Sequence, residues 1–520
     1  MSPEQVYAKR WWTLGVLCVS LLVVGLDNTI LNVAIPTLQE RLHATQGQIE
    51  WIIDSYVLVF AGLLLTMGAI GDKFGRRRAL TLGLVSFGLS SVFCAFSGSA
   101  NALIVGRALM GVGGALIMPS TLSILTNVFP PQERGRAIAI WAGVSGLGIG
   151  VGPIAGGVLL EHFWWGAIFL VNVPVVVGAI VAGRFLVPES KDERAPRLDP
   201  LGALLSIVGL SALVFAIIEA PIRGWTSTET LGAGAFGLVI LGFFVVTEAH
   251  SDHPMLPVEF FKNPRFSAGS GAVTLAFFAL FGTTLLLTQY QQIVRGYTAL
   301  EAGIRVLPVA LALVAFAPNS AKMAARFGTK RVVAGGLTML SLTLASLRLF
   351  EVGTPYWRLG VVYFLMGAGM AHVVAPSTEA IMGSLPRNRA GVGSAVNDTT
   401  RQVGGALGVA ILGSLLSSAY AAHIKPAIAH LPSPVRAEAR DSIIKTISVS
   451  NGDPALVHAA KVAFTDAMGT VALVAAGFAM LGALAVVLFL PAQGREEVAE
   501  LDSLGLPADE SGEPEEATAR

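Results

Sequence analysis

What most constrains this chain is a series of long apolar segments that recur from near the N-terminus to residue 490. The first, WWTLGVLCVSLLVVGLDNTILNVAIP, begins at Trp11. A helix rising about 1.5 Å per residue needs about 20 mostly apolar residues to cross a bilayer. Fourteen segments meet that requirement, at roughly 12–34, 51–70, 79–97, 102–125, 137–160, 166–187, 201–220, 231–248, 266–288, 303–321, 332–350, 358–381, 394–418 and 467–490. Charge has been cleared from them: the chain is 53% hydrophobic and only 13% charged, where a soluble domain carries about 25% charged residues. The expectation is an all-α integral membrane protein. MSPEQVYAKR carries no signal-peptide cleavage pattern and the run after it is too long for a signal sequence, so it is read as the first span.

The loops give an orientation. Lys9 and Arg10 precede the first span. Lys73, Arg76, Arg77 and Arg78 follow the second; Arg134 and Arg136 the fourth; Lys191, Arg194 and Arg197 the sixth. Lys262 and Arg265 follow the eighth; Lys322, Arg326, Lys330 and Arg331 the tenth; Arg387 and Arg389 the twelfth. The opposite loops carry mainly Arg41, Arg223, Arg295 and Arg358. Cations gather in short cytoplasmic loops, so both termini are expected in the cytoplasm and the segment 419–465 outside. The tail after Pro491 is acidic and is expected to be disordered.

The two ends of the membrane part repeat each other. LMGVGGALIMPST (109–121) resembles LMGAGMAHVVAPST (365–378), and GDKFGRRRAL (71–80) more weakly resembles AARFGTKRVV (324–333). Two parallel halves of six spans follow, with the pair at 201–248 inserted between them. The expected units are an N-terminal half at 1–190, two inserted helices with their linkers at 191–262, a C-terminal half at 263–490, and the tail at 491–520. Half-repeats that enclose a site near the bilayer midplane are how many secondary transporters are built.

Ionisable residues inside a bilayer are expensive and usually functional. Asp27, Asp54 and Arg107 all fall roughly 5–11 Å from the expected outer boundary at about 1.5 Å per residue, which makes an Asp27–Arg107 pair plausible and sets Asp54 nearer the outer mouth. A static buried ion pair is the plainer alternative. In the second half Asp398 and Arg401 fall near the cytoplasmic end of the thirteenth span, where Arg401 can simply neutralise Asp398. His372 and Glu379 fall on the twelfth; packing for the histidine and snorkelling for the glutamate are the plainer alternatives.

At these motifs the sequence resembles the major facilitator superfamily, and more narrowly its fourteen-helix drug:proton antiporters of the quaternary-ammonium and multidrug efflux type. The resemblance covers about residues 10–490. GAIGDKFGRRRAL (68–80) matches the loop between helices 2 and 3. Gly68 and Gly75 would permit close packing and a tight turn, and Asp72 can face a helix N-terminus. The resemblance implies that this loop, with Arg76 and Arg77, latches the halves together near Gly393–Asp398. WAGVSGLGIGVGPIAGG (141–157) matches the antiporter motif. Its Gly148, Gly152 and Gly156 form one smooth face that allows close helix approach, and Pro153 interrupts the local ladder; the implied role is a bendable contact between halves. LDNTILNVAIP (26–36), WIIDSY (51–56) and LIVGRALMGVGG (103–114) match the intramembrane motifs, which implies proton coupling for Asp27 and Arg107 and proton or cation handling for Asp54. Asp398 matches a position where similar exporters carry glutamate. The segment VLPVALALVAFAP (306–318) lacks an acid that some of them have, so monovalent cations are expected to be favoured over divalent ones.

The implied function is proton-coupled export of lipophilic cationic drugs, dyes and quaternary ammonium compounds across the plasma membrane by alternating access. Dedicated export of an endogenous metabolite, antibiotic or lipid precursor is the alternative. Phe277, Phe278, Phe281, Tyr290 and Trp141 can offer cation–π faces, with ordinary packing the plainer alternative. No Gly-x4-Gly-Lys-[Ser/Thr], His-Glu-x-x-His or nucleophile-elbow pattern occurs, so no enzyme activity, metal or cofactor is expected and the proton gradient is the driving force. The net charge of +1 gives no field for nucleic acid. Cys18 and Cys94 lie in apolar runs and are expected as buried small hydrophobes rather than a disulfide. Small cations, protons and lipids are the expected partners of a monomer.

Overall fold

The computed structural model describes residues 3–191, 199–251, 254, 258–384, 390–450 and 452–491. The N-terminal half contains α1 (Pro3–Arg41), α2 (Gln46–Phe74), α3 (Arg76–Ala95), α4 (Ala100–Val128), α5 (Pro131–His162) and, after the turn Ala167–Leu170, α6 (Asn172–Leu186). The inserted pair is α7 (Pro200–Arg223) and α8 (Thr228–His250). The C-terminal half contains α9 (Pro264–Gln289), α10 (Leu307–Phe327), α11 (Thr329–Ala345), α12 (Tyr356–Gly383), α13 (Ala390–Ile424) and α14 (Pro454–Phe489). No strand occurs among the described residues. Thirteen helical stretches among them are long and apolar enough to cross a membrane, and each coincides with an expected span. The remaining span, 137–160, falls on α5, a helix of 32 residues; its crossing completes the fourteen as an expectation. Arg194, Arg197, Arg387, Arg389 and the tail from 492 lie outside the described residues.

The helix ends follow from local chemistry. Thr45 and Gln48 close a capping box at the start of α2, with Gln48 N donating to Thr45 Oγ1 at 3.2 Å and Thr45 N to Gln48 Oε1 at 3.0 Å. Such a box satisfies two donors that a helix N-terminus leaves open, and it starts α2 five residues before the expected span. The segment expected as a loop from 419 to 465 is shorter and more ordered than that. α13 runs to Ile424, α14 begins at Pro454, and the helices Ser433–Ala439 and Ile443–Val449 lie between. Thr446 Oγ1 ties them down, 2.6 Å from both Tyr420 Oη and the Ala439 carbonyl.

The repeat is visible in the packing. α1 packs on α5 and α6, α2 on α4, and α3 on α4 and α6. In the second half α9 packs on α13 and α14, α10 on α12, and α11 on α12 and α14. The weaker sequence pair marks the same device in each half. Gly75 ends α2 and opens α3 at φ 119°, and Gly328 ends α10 and opens α11 at φ 87°, a region of backbone space that glycine enters without a Cβ penalty.

Among the described residues, several contacts between the halves lie toward one end. Gln292 Nε2 donates to the Val33 carbonyl at 2.8 Å, and Ser414 Oγ approaches Glu50 Oε2 at 3.5 Å. Gly157 and Pro153 of α5 lie against Leu300 and Gly303 of the short helix Ala299–Arg305. All of these sit toward the helix ends remote from the chain termini. The inserted pair is not peripheral to this contact: α7 packs on α8, on α2 and on α13, and so lies along the seam between the halves.

Candidate functional site

α1, α2, α4 and α6 bring together the polar groups that the apolar core of the first half would otherwise exclude. Asp27 and Arg107 are 0% and 1% exposed and form a direct hydrogen-bonded ion pair, the pairing that their depths suggest. Both carboxyl oxygens of Asp27 and two of the three guanidinium nitrogens are engaged. Asn172 Nδ2 donates to Asp27 Oδ1 at 3.2 Å and to Ser91 Oγ at 3.1 Å. Arg107 Nε donates to the Ile52 carbonyl at 3.1 Å, and its guanidinium lies 4.4 Å from the centroid of the Tyr56 ring. Ser91 in turn donates to the Phe169 carbonyl at 2.7 Å. A buried ion pair needs further hydrogen bonds to offset its desolvation, and Asn172, the Ile52 carbonyl and the Tyr56 ring supply such contacts here.

Asp54 is different. It is 0% exposed, and among the described residues neither carboxyl oxygen has a hydrogen-bond partner. Buried polar groups are ordinarily satisfied, and an exception calls for an explanation. One helical turn earlier, Glu50 is 1% exposed. The apolar run of the second span begins at Trp51, which leaves Glu50 outside it in the sequence. Its i, i+4 spacing from Asp54 on one helix face was the available signal. Asn172 was missed because an uncharged amide in an apolar run carries no mark of its own.

The antiporter motif packs mainly within its own half. Gly148, Gly152 and Gly156 lie against Gly25, Thr29 and Ile30 of α1, and Thr29 Oγ1 donates to the Gly148 carbonyl at 2.7 Å. A methyl group at position 152 would stand 1.9 Å from Thr29 Oγ1. The contact between halves is made by Pro153 and Gly157 of the same motif, which lie against Gly303 and Leu300. Asp27 thus sits on a stretch of α1 whose other face is fixed by these glycines.

The loop between α2 and α3 is anchored to the end of α6. Arg76 N donates to the Ser190 carbonyl at 2.9 Å, Arg77 N to Glu189 Oε1 at 3.1 Å, and the Arg77 and Arg78 side chains approach Glu189 at 3.7 and 3.8 Å. Gly68 faces Pro119 of α4. Glu189 is a further residue the sequence reading did not single out. The side chains of Asp72 and of residues 391–395, part of the expected latch partner, lie outside the described ones.

In the second half Asp398 faces Arg401 at 3.7 Å, one turn on along α13. Arg401 Nη2 donates to Thr378 Oγ1 at 3.1 Å, and its guanidinium lies 5.6 Å from the Phe277 ring. His372 stands apart: its Nδ1 is 2.7 Å from the Ala368 carbonyl, its ring lies 5.7 Å from that of Phe316, and it lines a crevice with Met323, Phe327, Arg331 and Met339. Glu379 is exposed. No hydrogen bond or ion pair joins either to Asp398 among the described residues. Two of the expected aromatic faces are taken up by packing. Phe278 lies 4.6 Å from Phe478, and buried Tyr290 donates to the Glu351 carbonyl at 2.6 Å. Phe277 and Phe281 stack at 5.9 Å, and Trp141 Nε1 donates to Thr121 Oγ1 at 3.2 Å. Among the described residues no group of three or more His, Cys, Asp or Glu side chains is arranged to hold a metal ion.

Two repeated helical halves around buried charges define a membrane transporter fold. A family model described as Major Facilitator Superfamily matches residues 17–409, and the chain belongs to that superfamily. It is 34% identical over 492 residues to a multidrug efflux pump of Mycolicibacterium smegmatis, covering 94% of this chain and 97% of that one. A methyl viologen resistance protein of Salmonella typhimurium is 34% identical over 469 residues, covering 88% and 93%. A tetracenomycin C resistance and export protein of Streptomyces glaucescens is 35% identical over 411 residues, covering 79% and 76%. Among solved structures, an inward-facing bacterial homologue of the human lysosomal transporter Spinster matches with a TM-score of 0.65 at 18% identity, covering 94% of this chain and 99% of that one. That likeness speaks for the fold alone.

Proposed function

We propose that this protein is a proton-coupled antiporter that exports lipophilic cations, including drugs, dyes and quaternary ammonium compounds, across the plasma membrane. One observation carries the reading: the chain matches a multidrug efflux pump along 94% of its own length. The geometry supports it through Asp54, a buried carboxyl with no hydrogen-bond partner among the described residues, on the helix next to the Asp27–Arg107 ion pair. One carboxyl cannot hold a proton and neutralise a cation together, so competition between them supplies the coupling. Asp27 is held by Arg107 and Asn172, which suits a positioning role; Asp54 is left to exchange. Asp398, next to Arg401 and the Phe277 ring, offers the second half's contribution to the cavity. Both termini lie in the cytoplasm in this reading, which sets the end where α1, α2, α9 and α13 touch toward the outside. No cofactor takes part, the cargo leaves chemically unchanged, and the working unit is a monomer.

The test is ethidium movement in inverted vesicles under an imposed pH gradient. The native chain concentrates the dye when the gradient is present and stops when it collapses. Asp54→Asn folds and loses gradient-driven movement, as does Asp27→Asn. Unchanged transport in both variants overturns the reading. Relatives named for tetracenomycin C and methylenomycin A favour a second reading, dedicated export of one antibiotic-like metabolite. Protection of cells against a panel of unrelated cationic dyes separates the two.

A further inference from the structure

Glu50 lies where three helices meet. Gln46 Nε2 donates to its Oε1 at 3.3 Å, and Gln46 is itself held by Gln39 at 3.0 Å. Across the seam, the Glu50 carboxyl is seated on α13: a methyl group at position 413 would stand 2.5 Å from Oε1. The neighbouring Ser414 is 3.5 Å from Oε2 but donates its shorter bond, 2.7 Å, to the Ile217 carbonyl of α7. One turn along α2 is Asp54, with no partner. Two carboxyls therefore stand side by side in a seam that closes only when the halves touch at this end.

The charges around them are already committed. Arg107 of α4 is bound to Asp27 of α1. Asp441, on the outer cap, is paired with Lys445 at 3.0 Å, and Glu219 of α7 with Arg223 at 2.9 Å. α13 presents no ionisable side chain between Arg401 and Tyr420. Among the described residues neither Glu50 nor Asp54 meets a cation. Two like charges this close in a dry site disfavour each other, and an unpaired buried charge neutralises in preference to staying charged.

We infer that Glu50 is a proton-dependent latch between α2 and α13. With a proton, its carboxyl is neutral and fits against Gly413, so the halves close at this end. Without the proton, the carboxylate requires water, which it obtains only when the seam opens. A ligand or proton shifts an equilibrium only by its differential affinity for the two states, and the proton on Glu50 favours the closed one. Because the seam buries Glu50 in the closed state, its proton exchanges when the seam opens, with the solution at the end remote from the chain termini. Glu50 thus senses the pH there as a positioning residue, while Asp54 exchanges proton and cargo. The inference rests on the antiporter reading for its physiological sense, but not for its test.

The test measures the seam directly. Spin labels at His43→Cys and Ala422→Cys, both exposed positions, report the distance between the far ends of α2 and α13 in Cys18→Ala/Cys94→Ala protein in nanodiscs. In the native background the long-distance population grows as pH rises, because the closed state binds the extra proton. Glu50→Gln, uncharged at every pH, holds the seam closed and removes that midpoint; Glu50→Asp restores a pH response. Gly413→Ala drives a methyl group against the carboxyl and shifts the population open at every pH. Gradient-driven ethidium transport by Glu50→Gln falls about tenfold or more, as expected when one of two states is depopulated, while equilibrium ethidium binding is unchanged. A Glu50→Gln chain that keeps the native pH midpoint overturns the latch. So does a native seam that does not respond to pH. A native chain that moves no ethidium under a gradient but keeps a Glu50-dependent seam overturns the antiporter reading instead.

Discussion

At the scale of single residues, the structure separates two kinds of buried charge. Asp27 and Arg107 satisfy each other and their surroundings, so removing one partner leaves the other charged and alone. Arg107→Ala is expected to destabilise the protein by about 3–5 kcal/mol, read as a lower melting temperature in detergent. The double variant Asp27→Asn/Arg107→Gln recovers much of that loss, because no uncompensated charge remains. Asp54→Asn has the opposite profile, with a melting temperature close to native and no gradient-driven transport. The sequence made these three residues legible because a charge in an apolar run stands out, and helical rise gave their depths. It did not make Asn172 legible, although Asn172 holds Asp27 as directly as Arg107 does. A neutral amide leaves no trace in a hydropathy profile, and only the fold brings residue 172 beside residue 27. Glu50 was hidden differently: the capping box at Thr45 starts α2 earlier than the apolar run does, which draws an apparent loop residue inside the helix.

At the scale of elements, close approach depends on glycine at a few points. Gly152→Ala places a methyl group 1.9 Å from Thr29 Oγ1, and α5 must then move away from α1 beside Asp27. The expected result is reduced transport with the chain still inserted, and Thr29→Ala in the same chain restores part of it. Gly75→Ala forces a side chain onto a backbone at φ 119°. It is expected to cost about 1–3 kcal/mol, visible in thermal denaturation. The apolar runs made the helices themselves legible, since 20 cleared residues have few other uses. The glycine face was legible as a face, but its partner was not. A small-residue stripe states that something approaches closely and is silent on what. Here the stripe meets α1 of its own half, and the adjoining Pro153 and Gly157 meet the other half.

At the scale of the whole molecule, the contacts between halves described above lie toward one end, and the motion implied by the proposed function must break them. Joining Val33→Cys to Gln292→Cys, positions linked by a 2.8 Å hydrogen bond from the Gln292 side chain, with a disulfide-containing bifunctional thiol reagent is expected to stop ethidium export until a reductant is added. Charge selectivity belongs to the same scale. The segment 306–318 carries no acid, and the nearest one before it, Glu301, faces Arg305 at 3.6 Å. Export of ethidium, a monocation, is expected to exceed that of methyl viologen, a dication, in vesicles under one gradient; equal rates contradict this. The inserted helices bear on a different matter, the path a greasy molecule takes before it is exported. Such molecules dissolve in the lipid leaflets, and the direct way from a leaflet to the space between the halves is sideways through a gap between helices. α7 lies against both α2 and α13. On that flank a solute in the bilayer meets a third helix before it reaches the seam between α2 and α13.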